Sequence, residues 1–216
     1  MDRREFSTAA AGVLGTAALG LPVGAFAQQR LQEGKDFRAL AKAAPVDAAG
    51  GKIEVVEFFW YSCPHCNAFE PKLVAWSKKL PPDVVLRRVP VAFRDDFLPQ
   101  QRLYYVLEAM GRVDDIHPKV FHAIHNDKQP TNREDGILAF AEKNGLDKAK
   151  FQELYNSFGV ASKAQRAKQL QNQYEVDGVP ALGIAGRWYT DGTMTGNMDR
   201  ALVVADHLIA EARKAK

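Results

Sequence analysis

At residues 52–66 the chain reads KIEVVEFFWYSCPHC, an apolar run that leads into two cysteines three residues apart. The β-branched and aromatic residues up to Trp60 predict a buried central strand. Beyond the cysteines, a helix face is predicted by spacings of four, three and four between Phe69, Leu73, Trp76 and Leu80. Pro64 suits the first turn of that helix, where its missing N–H costs nothing. The cysteine motif is therefore expected at the junction between a strand and a helix.

Further strands and a block of helices are predicted around this junction. A short strand is expected at Phe37–Leu40 and another at Val84–Val89. From Pro99 to about Val176 the apolar residues follow helical spacing, and turn signals divide this block. The predicted helices of the block are Gln100–Met110, His117–His125, Asn132–Lys143 (with Asn132 as its cap), Asp147–Asn156 and Ser162–Glu175.

After this block the pattern returns to strands. A hairpin is predicted at Val179–Thr190 across Ala185-Gly186, and a last helix at Met198–Lys214 with Asn197 as its cap. Without the helical block the order of elements is β-β-α-β-β-β-α. This order predicts an α/β protein with a thioredoxin fold and an all-helical insertion. The expected division is residues 28–98 with 177–216 for the thioredoxin-like domain and residues 99–176 for the insertion.

The composition excludes several classes of protein. The chain has 216 residues, of which 46% are hydrophobic and 25% charged, so a disordered or collagen-like chain is ruled out. The net charge of +3 is small and dispersed, and no basic stripe suggests nucleic-acid binding. Two cysteines are too few for a disulfide scaffold, and a structural zinc site usually needs four ligands. The sulfur chemistry is therefore confined to one Cys-x-x-Cys motif.

The N-terminus has the pattern of an export signal. Arg3-Arg4 precede a segment, Ser7–Gln29, that has no charged residue and is rich in Ala, Gly, Leu and Val. Ala25-Phe26-Ala27 is a cleavage signal of the small-x-small type. Residues 1–27 are therefore predicted to be a signal peptide, and the two arginines also resemble a twin-arginine export signal. The alternative is an uncleaved membrane anchor, for which the segment is a weak candidate.

Export favours redox chemistry at the cysteines, because disulfides persist in oxidising compartments. Cys63 would lie at the N-terminus of the predicted helix, where orphan N–H groups and the helix dipole favour a thiolate. His65 and the thiol of Cys66 are further candidates for stabilising that anion. A stabilised thiolate favours the dithiol form, so the disulfide becomes a strong oxidant. Cys66, one turn into the helix, would be the more buried resolving partner.

A metal site is the alternative interpretation of this motif. Cys63, His65 and Cys66 could bind a metal through two thiolates and an imidazole, but the sequence contains no second Cys-x-x-Cys. Three further histidines lie in the helical block, and a surface or capping role is the simpler interpretation for each. They are His117, His122 and His125.

Two other positions break the local pattern. Pro180 follows Val179 at the start of a predicted strand, where a proline removes a hydrogen-bond donor. A cis peptide bond would leave the Val179 backbone beside Cys63, able to pair with an incoming peptide, whereas a trans proline would simply belong to an edge strand. Glu57 lies within an apolar strand. It either points to solvent or lies beneath the cysteines near Arg88 and exchanges protons with Cys66.

These motifs resemble the DsbA family of periplasmic thiol:disulfide oxidases. The resemblance rests on VEFF at 56–59, CPHC at 63–66, GVP at 178–180 and the helix start NMD at 197–199. It implies that Cys63 exchanges disulfides with substrate, Cys66 resolves, and Pro64 and His65 tune the redox potential. It also implies that Pro180 is cis and that Glu57 is a buried acid. The family commonly has a lysine where Arg88 falls, and an arginine cannot pass on a proton.

The resulting hypothesis is an exported, monomeric periplasmic enzyme that introduces disulfide bonds into newly translocated proteins. Reduced or unfolded exported proteins would be its partners, and no organic cofactor or metal is required. The resemblance further implies reoxidation by a membrane quinone-linked partner of the DsbB type. The alternatives are a disulfide isomerase or reductase, and a metal-binding chaperone that uses Cys63, His65 and Cys66.

Overall fold

A five-stranded mixed sheet lies at the centre of the computed structural model, which describes residues 31–215. The sheet order is β1-β5-β4-β2-β3, in which β2 and β3 are parallel and the other neighbours are antiparallel. The strands are β1 (Arg38–Ala39), β2 (Ile53–Phe59), β3 (Val84–Pro90), β4 (Ala181–Ile184) and β5 (Trp188–Asp191). Strand β2, which leads to the cysteines, therefore lies between β4 and β3.

Eight α-helices accompany the sheet within the described residues. They are α1 (Pro64–Ser77), α2 (Leu98–Ala109), α3 (Val113–His125), α4 (Glu134–Lys143), α5 (Lys148–Tyr155), α6 (Phe158–Gln173), α7 (Gly192–Thr195) and α8 (Met198–Lys214). Helices α2 to α6 all lie between β3 and β4 in the chain. The predicted order β-β-α-β-β-β-α of the remaining elements is confirmed, with the short α7 added before the last helix.

Strand β2 separates two hydrophobic cores. Val55 belongs to the core formed with α1 and α8, whereas Val56 and Phe58 belong to the core formed with the helices of the block. All three side chains are fully buried. Such a strand, with apolar packing on both faces, must be apolar at nearly every position. This explains why the run at 53–59 shows no alternation and why its one central acid, Glu57, is buried as well.

Helix ends account for most differences between prediction and structure. Helix α8 starts as predicted, because the Oδ1 of Asn197 accepts a hydrogen bond from the N–H of Arg200. The predicted cap Asn132 is wrong: α4 begins at Glu134 without a side-chain cap. Helix α6 begins at Phe158, four residues before the predicted start, since the Oγ of Ser157 caps it.

The N-terminal predictions lie outside the described residues. These are the signal peptide at residues 1–27 and its cleavage after Ala27. Within residues 31–215, none of the helices combines the length and the apolar character that crossing a membrane requires.

The hairpin between β4 and β5 turns where the sequence predicts it. Ala185 and Gly186 both have positive φ, 54° and 67°, as a two-residue turn between twisted strands requires. The hydroxyl of Tyr174, which follows α6, accepts a hydrogen bond from the N–H of Gly186 at 3.0 Å. The Tyr174 ring also fills the space over Gly183 in β4, where any Cβ would overlap it. The hairpin and the end of the helical block are thus fixed together.

We expect Gly183→Ala to lower the free energy of unfolding by about 1–3 kcal/mol, because the new methyl group must displace the Tyr174 ring. Gly159→Ala in α6 is the matched control, since its Cβ would contact only the Oγ of Ser157 at 3.8 Å. Urea denaturation of both variants measures the effect. Equal stabilities of the two variants would contradict this packing.

Candidate active site

Cys63 is the N-cap of α1, and its sulfur accepts a hydrogen bond from the backbone N–H of Cys66 at 3.3 Å. Pro64 occupies the first helical turn, as predicted. The pKa of Cys63 is lowered to about 6, primarily by the hydrogen bond from the Cys66 thiol and further by the N–H groups of Cys66 and His65, while burial opposes this effect. The Cys63 side chain is thus prepared to carry a negative charge at neutral pH.

Cys66 has the opposite environment. It is completely buried and, like Cys63, is a free thiol in the structure. Burial raises the pKa of Cys66 well above its usual value, and the neighbouring Cys63 and the charge of Glu57 raise it further. The two sulfurs therefore differ strongly in acidity: one ionises readily, whereas the other retains its proton. His65, by contrast, lies at the surface beside them.

The loop before β4 lies against Cys63. The Val179–Pro180 peptide bond is cis, so the structure has the first of the two alternatives left open by the sequence. When Cys63 is protonated, its thiol donates a hydrogen bond to the carbonyl oxygen of Val179 at 3.4 Å. Residues that are 116 positions apart in sequence thus meet at the sulfur.

A groove of about 620 Å³ extends from this loop along α1 and the start of α8. Its lining combines apolar and charged side chains. The residues that define it are His65, Phe69, Lys72, Val179, Pro180 and Met198. An extended chain with an apolar side chain would fit this groove directly beside Cys63.

Beneath the cysteines lies a buried cluster of charged groups. Glu57 is fully buried, so the solvent-facing alternative does not occur. Arg88, opposite Glu57 in the β2–β3 register, places its Nε 3.2 Å from the Oε2 of Glu57 and its Nη2 2.6 Å from the Oε1 of Glu70. Burial, together with the nearby charge of Glu70, raises the pKa of Glu57 to about 8, although Arg88 opposes this. Glu57 therefore retains a proton at neutral pH.

A surface or capping role is predicted for the three histidines of α3, and for His117 this prediction is wrong. His117 is 2% exposed, and its Nδ1 lies 2.8 Å from the Tyr61 hydroxyl. The Nε2 of His125 donates a hydrogen bond to the carbonyl oxygen of Tyr61 at 2.8 Å. His122 is exposed, and His125 is half-buried. His117 and His125 thus both hold Tyr61, the residue two positions before Cys63.

Glu70 and His117 were missed by the sequence analysis as members of the site. Glu70 lies on the inner face of α1, one residue after Phe69. Its place next to this predicted apolar residue is the sequence feature that could have identified it as buried. Within the described part of the chain, no group of three or more His, Cys, Asp or Glu side chains is arranged so that it could hold a metal ion.

Comparison with known proteins gives consistent matches. A family model described as a DSBA-like thioredoxin domain matches residues 54–206. The chain is 40% identical to the thiol:disulfide interchange protein DsbA of Burkholderia cepacia over 183 residues, 85% of this chain and 86% of that protein. It is also 40% identical to the DsbA of Bordetella pertussis over 209 residues, 96% of this chain and 99% of that protein. The crystal structure of Pseudomonas aeruginosa DsbA superposes with a TM-score of 0.80 at 40% identity, covering 84% of this chain and 94% of that chain.

Proposed function

Since the chain belongs to the DsbA family of thiol:disulfide oxidoreductases, we propose that its Cys63–Cys66 pair donates disulfide bonds to newly exported proteins. The observation that carries this proposal is the contrast between the two sulfurs: the pKa of Cys63 is about 6, whereas burial raises that of Cys66 well above its usual value. The alternatives, a disulfide isomerase or reductase and a metal-binding chaperone, are not favoured, because the relatives are interchange proteins of the DsbA type.

The reaction consists of two exchanges. A client thiolate attacks the sulfur of Cys63 in the enzyme disulfide, the S–S bond breaks, and Cys66 leaves with the electron pair and takes up a proton. A second client thiolate then attacks the client sulfur of the mixed disulfide, and Cys63 leaves as a thiolate. The client dithiol loses two electrons and two protons; the enzyme gains both electrons and one proton, and the other proton goes to solvent. The low pKa of Cys63 makes it a good leaving group in the second exchange.

Pro64 and His65 tune this leaving group. Pro64 begins α1 directly after Cys63, so that the first-turn N–H groups surround the sulfur. The backbone N–H and the charge of His65 both lower the pKa of Cys63. Residues that stabilise the thiolate also stabilise the dithiol form, which makes the disulfide more oxidising.

Val179 and Pro180 form the client-binding side of the site. The Val179 carbonyl lies next to the Cys63 sulfur, and both residues line the groove beside it. An extended client segment would add its backbone here like an extra strand, which recognises main chain rather than a particular sequence. This mode of binding suits an enzyme that must accept many unfolded clients.

Glu57 supplies the proton that Cys66 needs when it leaves. Glu57 is buried, its charge acts on Cys66, and its pKa of about 8 keeps it protonated at neutral pH. Arg88 has a pKa raised by its two carboxylate neighbours, although burial opposes this, and it remains charged throughout. The guanidinium therefore orients the acid, and the carboxyl group of Glu57 moves the proton.

The cellular setting follows from the family and the N-terminal signal. Residues 1–27 would direct export to the periplasm and be removed after Ala27. Reduced or unfolded exported proteins would be the clients, and a membrane DsbB-like quinone oxidoreductase would restore the disulfide. The protein would act as a monomer whose thioredoxin-like domain, residues 28–98 and 177–216, carries the cysteines, while the insertion at 99–176 covers them.

Equilibration of the protein with glutathione and exchange assays on a reduced dithiol peptide test the function. We expect a reduction potential well above the value of about −270 mV typical of thioredoxin. Cys63→Ser abolishes peptide oxidation. In Cys66→Ser, the Cys63 thiolate attacks oxidised glutathione, releases one equivalent of reduced glutathione and accumulates as the Cys63–glutathione mixed disulfide, because no resolving thiol remains. A potential at or below that of thioredoxin, or oxidation by Cys63→Ser, would refute the proposal.

Replacement of Glu57 tests the proton transfer. We expect Glu57→Gln to slow opening of the enzyme disulfide about tenfold at neutral pH, equivalent to a change of one in the pKa of the leaving thiol. The difference should vanish above pH 8, where Glu57 of the wild type has lost its own proton. Stopped-flow kinetics across this pH range measures the rate.

Glu54→Gln is the matched control for this variant. Glu54 is a buried carboxylate on the same strand, 2% exposed, and it pairs with Arg87 rather than with the cysteine site. We expect its disulfide to open at the wild-type rate at every pH. Equal slowing in both variants would assign the effect to the strand and not to the acid.

A further inference from the structure

His117 connects the helical block to Glu57 and Glu70, the acid pair beneath the cysteines. Its ring packs edge-on against Phe59 and Phe121, with centroid distances of 5.1 and 5.2 Å, so its position is fixed. Its two nitrogens face different partners: Nδ1 lies 2.8 Å from the Tyr61 hydroxyl and Nε2 lies 3.5 Å from the Oε2 of Glu70. The known steps of disulfide exchange leave this buried imidazole without a role.

The partners of His117 determine which nitrogen carries the hydrogen. Burial lowers the pKa of His117, so the ring is neutral and has a single N–H. An ionised Glu70 can only accept, which places that hydrogen on Nε2. The Nδ1 then accepts a hydrogen bond from the Tyr61 hydroxyl, whose own pKa burial raises well above its usual value. Tyr61 thus selects the tautomer with its N–H on Nε2, the nitrogen that lies 3.5 Å from the Oε2 of Glu70 in a polar contact longer than a hydrogen bond.

The cluster contains two carboxyl groups and one permanent cation. The ionisable groups around His117 are Tyr61 after β2, Glu70 on α1, Arg88 on β3 and Tyr104 on α2, with Glu57 on β2 beyond Arg88. A buried site favours zero net charge, so the pair of carboxyl groups shares one proton at neutral pH. The question is which carboxyl group holds it.

The two carboxyl groups differ in the polar groups that stabilise their negative charge. Glu70 has the Nη2 of Arg88 at 2.6 Å and the imidazole of His117 on its other oxygen. Glu57 has only the Nε of Arg88 at 3.2 Å, and neither of its oxygens is in a hydrogen bond within the described structure. Glu70, by contrast, accepts a hydrogen bond from Arg88 on Oε1 and has a polar contact at 3.5 Å with His117, not a hydrogen bond, on Oε2. Glu70 therefore differs from Glu57 in two ways: it has His117 as a neighbour, and its guanidinium nitrogen is closer.

We propose that His117 is a positioning residue, which keeps Glu70 ionised and thereby leaves the shared proton on Glu57, the acid that serves Cys66. The use of this proton rests on the proposed function, but its location does not. The directions of the pKa shifts agree: burial pushes the pKa of Glu70 upwards, yet His117 and Arg88 outweigh it and leave this pKa below its usual value. The helical block thus sets the protonation of the thioredoxin-like part.

Carbon NMR of the Glu57 and Glu70 carboxyl groups, titrated in the reduced protein, tests the proposal. In the wild type we expect Glu57 to titrate near pH 8 and Glu70 to remain ionised through neutral pH. In His117→Phe, loss of the polar imidazole 3.5 Å from Glu70 should raise the pKa of Glu70 by about one, so that Glu70 takes part of the proton from Glu57. His117→Gln retains an amide N–H near the position of Nε2 and should restore the wild-type titration.

Two further variants serve as a control and as an alternative to His117→Phe. His122→Phe, on the exposed face of the same helix, should leave both titrations unchanged. Tyr61→Phe should shift Glu70 in the same direction as His117→Phe, because the tautomer is no longer fixed, and it decides the matter if His117→Phe does not fold. Unshifted Glu70 in the folded variants would overturn the proposal even if the protein exchanges disulfides normally. A Glu70 shift in a protein that fails to oxidise peptides would overturn only the proposed function.

Discussion

The hydrogen bonds that the Cys63 sulfur receives in the first turn of α1 are the interaction on which the site depends. A helix end alone supplies at most about 2 kcal/mol to a nearby anion, which lowers a pKa by about 1.5. This does not bring a thiol from about 8.5 to a pKa of about 6. The direct donors, which are the Cys66 thiol and the N–H groups of Cys66 and His65, are therefore essential for the low pKa of Cys63. Strand β2 places Cys63 next to these donors at the start of α1.

The same geometry gives Cys66 a protonation behaviour opposite to that of Cys63. Cys66 donates to Cys63 and lies in the apolar interior, so it retains its proton and needs one whenever it leaves a disulfide. A proton source for Cys66 must then also be buried, and Glu57, the acid proposed for this role, lies in the middle of β2. Arg88 offsets the charge of the acid pair without taking part in proton transfer, because a guanidinium does not release its proton. In the proposed mechanism, the cluster therefore combines a fixed positive charge with one mobile proton.

Much of this arrangement could be predicted from local patterns. The run at 52–66 predicts the central strand, the helix and the cysteine junction, and Asn197 predicts the start of α8, because such signals lie within a few residues of each other. Glu70 and His117 are different, since they are neighbours only after α3 packs on α1. The position of Glu57 in an apolar strand left two interpretations open, and only its burial beside Arg88 in the folded protein excludes the solvent-facing one. The false cap at Asn132 shows that one residue type does not fix a helix end.

Titration of the Cys63 thiolate by its ultraviolet absorbance, in the reduced protein, measures the stabilisation of this anion. We expect a single step with a midpoint near pH 6 that disappears in Cys63→Ser, while Cys66 stays protonated through neutral pH. A midpoint near 8.5, the usual value of a free thiol, would contradict this expectation. In that case the first turn of α1 would not stabilise the anion, and the oxidising character of the site would have no physical basis.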